Sequence, residues 1–247
     1  MAAPATEAAI KAMRQLIIDG ALGPGARLPA EPELAAQLGL SRGTLREAVR
    51  ALVTARVLDV RRGDGTYVTS LEPSLLLEGI GFAVELMQED RWLELLELRR
   101  ILEPSATALA AERGSAEAFD LLGARLADME HSHGESRIKQ DIEFHGLIAM
   151  ASGNQALASM LAGINSHTLH ARIWHGTLDA DADRRAHEEH QAIYAAIRER
   201  DPTLAHSAAL MHVANTERWY RAMLERGDRG DRGDRGDRSG TEPTSAA

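Results

Sequence analysis

The stretch "SRGTLREAVRALVTARVLDVRRGDGTYVTS", from Ser41 to Ser70, decides the fold of the N-terminal part of the chain. Ser41 is a favourable N-cap for the helix that follows it. Apolar residues of this helix form one stripe, and most of its charged residues project the other way. Two short β-prone runs then flank "RRGDG", whose glycines suit the positive φ angles of a tight hairpin. The pattern predicts a helix followed by a β-hairpin.

Two further helices are predicted upstream of Ser41. Residues 6–19 carry apolar side chains at helical spacing, and a segment rich in glycine and proline ends that helix. A short helix begins near Pro32 and stops at Gly39. Residues 6–70 are therefore expected to form a helix-turn-helix domain with a β-hairpin wing.

The rest of the chain has a different pattern. A short linker is predicted at 71–74, around Pro73, and residues 75–225 are almost continuously helical with polar or glycine-containing breaks. Six or seven helices over this length are enough for an all-α bundle with its own core. Residues 226–247 contain repeated Arg-Gly-Asp triplets and few apolar residues, so a disordered tail is expected. The fold class is mainly α.

Composition narrows the classes of function. Aromatic residues make up 4% of the 247 residues, and Ile and Val do not form alternating runs, which argues against an all-β fold. The absence of cysteine excludes disulfides and thiolate metal sites. Neither a secretory signal nor a membrane span is recognisable, so we expect a cytoplasmic protein with no membrane partner.

The position of the charged residues along the chain is a better guide to a nucleic-acid partner than the net charge. The formal net charge is −9, which alone argues against a nucleic-acid partner. Residues 1–70, however, contain nine basic and seven acidic side chains, and six arginines lie between Ser41 and Arg62. The basic residues are thus concentrated on the predicted helix and hairpin between Ser41 and Arg62.

Three arginines at intervals of four form a row along the predicted helix: Arg42, Arg46 and Arg50. A major groove admits one α-helix, and an arginine can bind phosphate or the edge of guanine. Such a row on an isolated helix is more often a solvated surface. Here it coincides with a capped turn, a preceding short helix and a basic hairpin, and the combination favours binding to double-stranded DNA.

A second group of residues predicts a metal site. Asp141 and His145 share a helix face with apolar residues, and His190 and His212 also lie at positions expected to be buried. A core hydrogen bond or a surface pair is the commoner explanation of a lone Asp-x-x-x-His. Three buried imidazoles and a carboxylate in one small bundle are better explained by a shared divalent ion.

The segment from Gly25 to Val68 resembles the winged helix-turn-helix of the GntR family of bacterial transcription regulators. The resemblance implies that Gly63 in the wing and several residues of the third helix contact the operator: Arg42, Thr44 and Arg46. Two positions depart from the family pattern. Pro32 replaces an arginine that many members use for DNA contact, and Arg56 stands where a glycine usually ends the recognition helix.

The remainder of the chain, including "DIEFHGLIAMASGN", is similar to the all-helical FCD effector domain of FadR-like GntR regulators. Many such domains hold a metal with one Asp and three His, which match Asp141, His145, His190 and His212. Zn²⁺, Ni²⁺, Mn²⁺ and Fe²⁺ all fit this ligand set. The resemblance also suggests an effector contact by Arg99, and Asn165 and Arg172 are secondary candidates on the helix that follows "DIEFHGLIAMASGN". An ion pair between Arg99 and Glu103, four residues later, is the simpler alternative for Arg99.

These observations predict a homodimeric repressor of a catabolic operon that binds a palindromic operator. A small carboxylate or hydroxy acid, docked at a divalent metal, is expected to change operator affinity. Two alternatives remain open: a regulator for which the metal itself is the signal, and a metal-dependent hydrolase fused to a DNA-binding head. No general base stands at an obvious spacing, so we do not expect an enzyme.

Overall fold

The computed structural model describes residues 4–87, 91–174 and 180–236. Side chains are described throughout these ranges except at 85, 166–174, 180–182 and 226–236. The chain divides into two compact units, residues 1–83 and 84–247.

The first unit begins with three helices, α1 (Pro4–Ile18), α2 (Glu31–Leu38) and α3 (Arg42–Thr54). Gly39 follows α2 with φ of 65°, a left-handed conformation that glycine adopts at little cost. Ser41 then caps α3, because its Oγ accepts a hydrogen bond from the Thr44 amide at 3.1 Å. This cap stabilises the helix by about 1 kcal/mol. The predicted turn between the two helices is confirmed.

The wing is an antiparallel hairpin of β1 (Leu58–Arg61) and β2 (Gly65–Val68). Gly63, in the turn, has φ of 75°, which a residue with a Cβ rarely adopts. The helices and hairpin share one apolar core, formed by side chains including Met13, Leu34, Leu45, Leu52, Leu58 and Val68. The apolar stripe of α3 therefore faces this core, and its arginines remain outside.

Short helices α4 (Pro73–Leu76) and α5 (Glu78–Glu85) connect to the second unit. That unit contains six longer helices within the described ranges: α6 (Trp92–Arg113), α7 (Ala116–Glu130), α8 (Gly134–Ala151), α9 (Gln155–Trp174), α10 (Ala180–Arg198) and α11 (Pro202–Gly236). The predicted all-α bundle and the fold class are confirmed. Most breaks fall where glycine, proline or a capping serine predicts them.

The bundle core lies between α6, α7, α8, α10 and α11. Its largest fully buried side chains include Phe144 on α8 and Ile193 and Ile197 on α10. Helix α6 packs along α11, and α8 packs against α6, α7 and α9. None of the described helices has the length and apolar character needed to cross a membrane.

The structure differs from the sequence prediction at both ends of this unit. The expected linker at 71–74 overlaps α4, and the division between units falls later, between Ala83 and Val84. Helix α11 continues to Gly236, into the tail that was expected to be disordered, and residues 237–247 lie outside the description. Extending an existing helix needs no new nucleus and adds one hydrogen bond per residue, which composition alone does not reveal.

Candidate metal centre and nucleic-acid interface

Three helices of the bundle bring together the four predicted metal ligands. Asp141 and His145 lie one turn apart on α8, His190 lies on α10, and His212 lies on α11. All four residues are buried, with at most 7% of their surface exposed. One potential ligand atom from each residue lies within 4.8 Å of the others. The four residues therefore form one group, in which the ligand atoms are near enough to share an ion.

Ring nitrogens and a carboxylate oxygen meet at the centre of this group. The Nε2 atom of His190 lies 3.2 Å from Asp141 Oδ1 and 3.3 Å from His145 Nε2. The His145 Nε2 atom is 3.9 Å from the same Asp141 oxygen. Lone pairs and a carboxylate this close together repel one another unless a proton or a cation lies between them.

His212 supplies the observation that tests whether a metal fits. Its Nδ1 lies 2.8 Å from Glu189 Oε2, so Nδ1 donates to the carboxylate. The proton on Nδ1 leaves a lone pair on Nε2 of the neutral ring. That Nε2 atom is buried and has no hydrogen-bond partner among the described residues. A buried acceptor without a donor is costly, and a divalent cation would satisfy it.

The pKa of one of the three imidazoles, His145, agrees with a neutral, metal-competent ring. Burial lowers the pKa of His145 to about 3, although the charges of Glu103 and Asp141 oppose the shift. Burial also acts to raise the pKa of Glu189, but hydrogen bonds from His212 and Asn215 outweigh it, and the pKa is lowered. His145 is therefore neutral near pH 7, and Glu189 is ionised.

Arg99 and Glu103 form a buried ion pair beside this group. Arg99 Nε donates to Glu103 Oε1 at 2.6 Å, and Glu103 Oε2 lies 3.4 Å from His145 Nδ1. Burial alone would raise the pKa of Glu103, but Arg99 and His145 outweigh it and hold the pKa at about 2. Burial acts to lower the pKa of Arg99, but the negative charges of Glu103 and Asp141 outweigh burial. The pKa of Arg99 is therefore raised.

The structure describes the surroundings of two of the three predicted effector residues, Arg99 and Asn165. The ion pair weighed as the alternative for Arg99 is present, yet it also places Arg99 next to the ligand group. Asn165 is buried on α9, which packs against α6 and α8. The side chain of Arg172 lies outside the described part of the chain.

Two contacts of the ligand group were missed in the sequence. The sequence predicts Glu103 only as a partner of Arg99, and it gives no sign of a role for Glu189. The four-residue spacing of Arg99 and Glu103 on α6 gives no sign of the contact with His145 on α8. Glu189 on α10 meets His212 on α11, a contact between two helices. His187, three residues before His190, is outside the ligand group and contacts Gln191 at 3.1 Å.

The outer surface of α3 carries the predicted DNA contacts. Arg42, Arg46 and Arg50 are exposed, as is Gly63 in the wing, and Thr44 is half-buried at the N-terminal end of the helix. Arg46 Nε forms an ion pair with Glu31 at 2.7 Å, and Arg50 pairs with Glu47 at 2.8 Å. Two of the three arginines are thus held by carboxylates of the same unit.

Arg27 supports the turn of the wing, a role that the sequence did not suggest. Its guanidinium donates to the carbonyl oxygen of Asp64 and lies 3.8 Å from the Asp64 carboxylate. A Cβ at Gly65 would lie only 2.8 Å from Arg27 Nε, so a larger residue at this position would push the Arg27 guanidinium away from the turn. The hairpin turn is therefore anchored to the segment that precedes α2.

Comparisons with known proteins agree with both halves of the description. Residues 5–68 match the model of the bacterial regulatory proteins of the gntR family, and residues 94–215 match the FCD domain. The regulator LutR of Bacillus subtilis is 30% identical over 209 residues, which cover 82% of this chain and 94% of that protein. The chain belongs to the GntR family.

Two other GntR-type proteins extend this comparison. The galactonate operon transcriptional repressor of Escherichia coli is 27% identical, covering 86% of this chain and 95% of that protein. The solved structure of a Streptococcus agalactiae GntR protein has a TM-score of 0.61 and 35% identity, over 86% of this chain and 99% of that chain. The family consists of DNA-binding transcription regulators, so this GntR protein is a regulator and not an enzyme.

The two departures from the GntR pattern have clear structural settings. Pro32 lies in the first turn of α2, where a missing amide proton costs nothing. Arg56 has φ of 58°, the left-handed conformation for which glycine is favoured. Its guanidinium forms a two-point ion pair with Glu78, at 2.7 and 3.1 Å. The Arg56 position thus retains the glycine-like backbone.

Proposed function

We propose that this GntR regulator represses a catabolic operon and that a small carboxylate or hydroxy acid, docked at a divalent metal, changes its operator affinity. The observation that carries the proposal is the buried group of Asp141, His145, His190 and His212. It lies in the FCD domain of a chain whose other domain is a winged helix-turn-helix.

The DNA-binding part of the proposal rests on α3. Its exposed arginines lie on the side opposite the apolar core, as required of a helix that enters a major groove. We assign operator contacts to Arg42, Thr44, Arg46, Arg50 and Gly63. Two copies of the chain would place two such helices on successive major grooves, so a homodimer on a palindromic operator is expected.

The metal would be held by the four ligands and would supply a Lewis-acid docking point for a carboxylate. Four protein ligands leave open positions on an ion that accepts five or six. Zn²⁺, Ni²⁺, Mn²⁺ and Fe²⁺ are all compatible with three nitrogens and one oxygen. The protein's own contribution is a buried setting that strengthens the attraction between an anion and the site.

Arg99 is the leading residue for a second contact to the effector. Its Nε is engaged by Glu103, but a guanidinium has four further N–H donors that can hold a carboxylate. Asn165 and Arg172 on α9 remain assigned as secondary contacts. A hydroxy-acid effector is also supported by the relative named as a repressor of the galactonate operon, since galactonate is a hydroxy acid.

DNA binding is tested first with Arg46→Ala. A binding sequence is selected from a random duplex library with the wild-type protein, and affinities are measured by fluorescence anisotropy. Arg46→Ala is expected to weaken binding about tenfold to hundredfold. Arg14→Ala, on the exposed side of α1, removes the same charge and serves as the control. Equal affinities of the two variants would contradict the assignment.

A second candidate function is a metal sensor, in which the ion itself is the signal. The nearly complete burial of all four ligands favours a permanently loaded site over a rapidly exchanging one. One measurement distinguishes the two functions. Operator affinity is measured with and without metal, in the absence of any organic acid. A change under those conditions indicates a sensor, and constant affinity supports a metal-docked effector.

A further inference from the structure

We propose that Glu103 and Glu189 are positioning residues that keep the protons of His145 and His212 on Nδ1. Each ring then presents an unprotonated Nε2 to the ligand group. The metal consequence of this inference rests on the proposed function, but the proton positions can be measured without metal. The proposal thus concerns two carboxylates that touch the imidazoles from outside the ligand group.

The contact between Glu189 and His212 is the better defined of the two. His212 Nδ1 lies 2.8 Å from Glu189 Oε2, and the other oxygen of Glu189 accepts from Asn215 Nδ2. The Asn215 amide is itself oriented, because its Oδ1 accepts from the Arg218 guanidinium. Both oxygens of Glu189 are therefore used as acceptors, and an ionised carboxylate can only accept.

The contact between Glu103 and His145 is longer but more buried. Glu103 Oε1 accepts from Arg99 Nε at 2.6 Å, and Oε2 faces His145 Nδ1 at 3.4 Å. Glu103 Oε2 is buried and has no hydrogen-bond partner among the described residues. A proton on His145 Nδ1 is the donor nearest to meeting this need, and it leaves the Nε2 lone pair directed at Asp141 and His190.

A glutamine at position 103 would reverse this arrangement. Arginine has no acceptor, so the amide oxygen must face Arg99, and the amide NH₂ must face His145. The Nδ1 atom of His145 must then accept a hydrogen bond, which moves the ring proton to Nε2. A protonated Nε2 cannot bind a metal, so Glu103→Gln is expected to weaken the site by more than the loss of one charge.

Glu189→Gln is expected to change the tautomer of His212 less completely, because its other partner, the Asn215 amide, can reorient. Arg218 is exposed, so the Asn215 amide can turn over while water satisfies Arg218. The amide oxygen of glutamine can then still face His212. In Glu189→Gln we therefore expect a mixture of the two His212 tautomers. In Glu103→Gln we expect the His145 proton to move entirely from Nδ1 to Nε2.

The first test is ¹⁵N NMR of the histidine rings in the metal-free, full-length protein, with signals assigned by His145→Gln and His212→Gln. Both rings are expected to carry the proton on Nδ1 in the wild type. Glu112→Gln on α6 and Glu188→Gln on α10 change exposed carboxylates on the same helices and should leave both rings unchanged. Nε2-protonated rings in the wild type would overturn the proposal.

The variants complete this test. Glu103→Gln should shift His145 to the Nε2-protonated form while His212 stays unchanged, and an unshifted His145 would overturn the proposal. If Glu103→Gln does not fold, Glu189→Leu decides, because it removes the acceptor that faces His212 Nδ1. An unaltered His212 spectrum in that variant would contradict the positioning role.

Zn²⁺ affinity, measured by competition with a chelator, is the second readout. We expect Glu103→Gln to bind Zn²⁺ about tenfold to hundredfold more weakly than the wild type. Glu189→Gln should lie between the wild type and Glu103→Gln, and the two control variants should match the wild type. Wild-type affinity in Glu103→Gln would overturn the positioning role. Absence of Zn²⁺ binding by the wild type would instead contradict the proposed function, and the NMR result would still decide the tautomers.

Discussion

His190 Nε2 lies 3.2 Å from Asp141 Oδ1, although the two residues belong to different helices, α10 and α8. The contact joins a buried imidazole to a buried carboxylate in the core of the bundle. Burying these groups is unfavourable unless each is satisfied, and one ion among the four ligands would satisfy them together. The stability of the bundle should therefore depend on metal.

Metal binding should raise the free energy of unfolding. Zn²⁺ at one hundred times its dissociation constant is expected to add about 2.7 kcal/mol if it binds only the folded chain. The gain should disappear in His145→Gln and persist in His187→Gln, whose side chain lies outside the ligand group. Urea unfolding with and without the ion measures the difference, and an equal gain in the two variants would place the ion elsewhere.

Acid should destabilise the metal-free protein. The pKa of His145 is about 3 in the folded chain and near 6.5 when unperturbed, because burial disfavours its charged form. Between these values the unfolded chain binds a proton that the folded chain does not, so the free energy of unfolding falls as pH decreases. Urea unfolding of the chelated protein at about pH 7 and about pH 5 should show this loss. His145→Gln should show a shallower dependence, and an unchanged slope would contradict the assignment.

The Arg46–Glu31 ion pair should limit DNA affinity. The two side chains are 62% and 36% exposed, so the pair contributes little to stability. Glu31→Gln releases Arg46 and removes a negative charge near the DNA surface, so tighter binding with a steeper salt dependence is expected. Glu33→Gln, on the same helix, makes the same charge change without releasing Arg46. Anisotropy titrations at two salt concentrations compare them, and identical behaviour would show that the ion pair is irrelevant to binding.

Arg56 should tolerate glycine better than alanine. Its φ of 58° costs a residue with a Cβ about 1 kcal/mol, and glycine avoids that cost. Both substitutions remove the exposed ion pair with Glu78, which therefore cancels in the comparison. Arg56→Gly should be more stable than Arg56→Ala by about 1 kcal/mol in urea unfolding. Alanine equal to or better than glycine would mean that the conformation changes on substitution.

Local signals predicted much of the fold. Ser41, Gly39 and the glycines of "RRGDG" act within a few residues of where they stand, so their effects can be read from sequence. The periodicity of α8 likewise placed Asp141 and His145 on a buried face. Because a helix fixes which residues share a face, these inferences needed no knowledge of the tertiary structure.

The contacts between helices could not be obtained in the same way. Glu189 meets His212 across α10 and α11, and Glu103 meets His145 across α6 and α8. No spacing within one helix encodes such a meeting, because it depends on how the helices pack. The resemblance to metal-containing FCD domains suggested the four ligands but not the carboxylates beside them.

Docking of an effector at the metal can be tested by thermal unfolding of the purified protein with a panel of small carboxylic and hydroxy acids. Each acid is measured with the metal-loaded protein and after chelation. We predict that at least one acid raises the midpoint in the metal-loaded form only, because the ion is the docking point for its carboxylate. An acid that stabilises both forms equally would contradict the claim, as would a panel without effect together with a midpoint that chelation does not change.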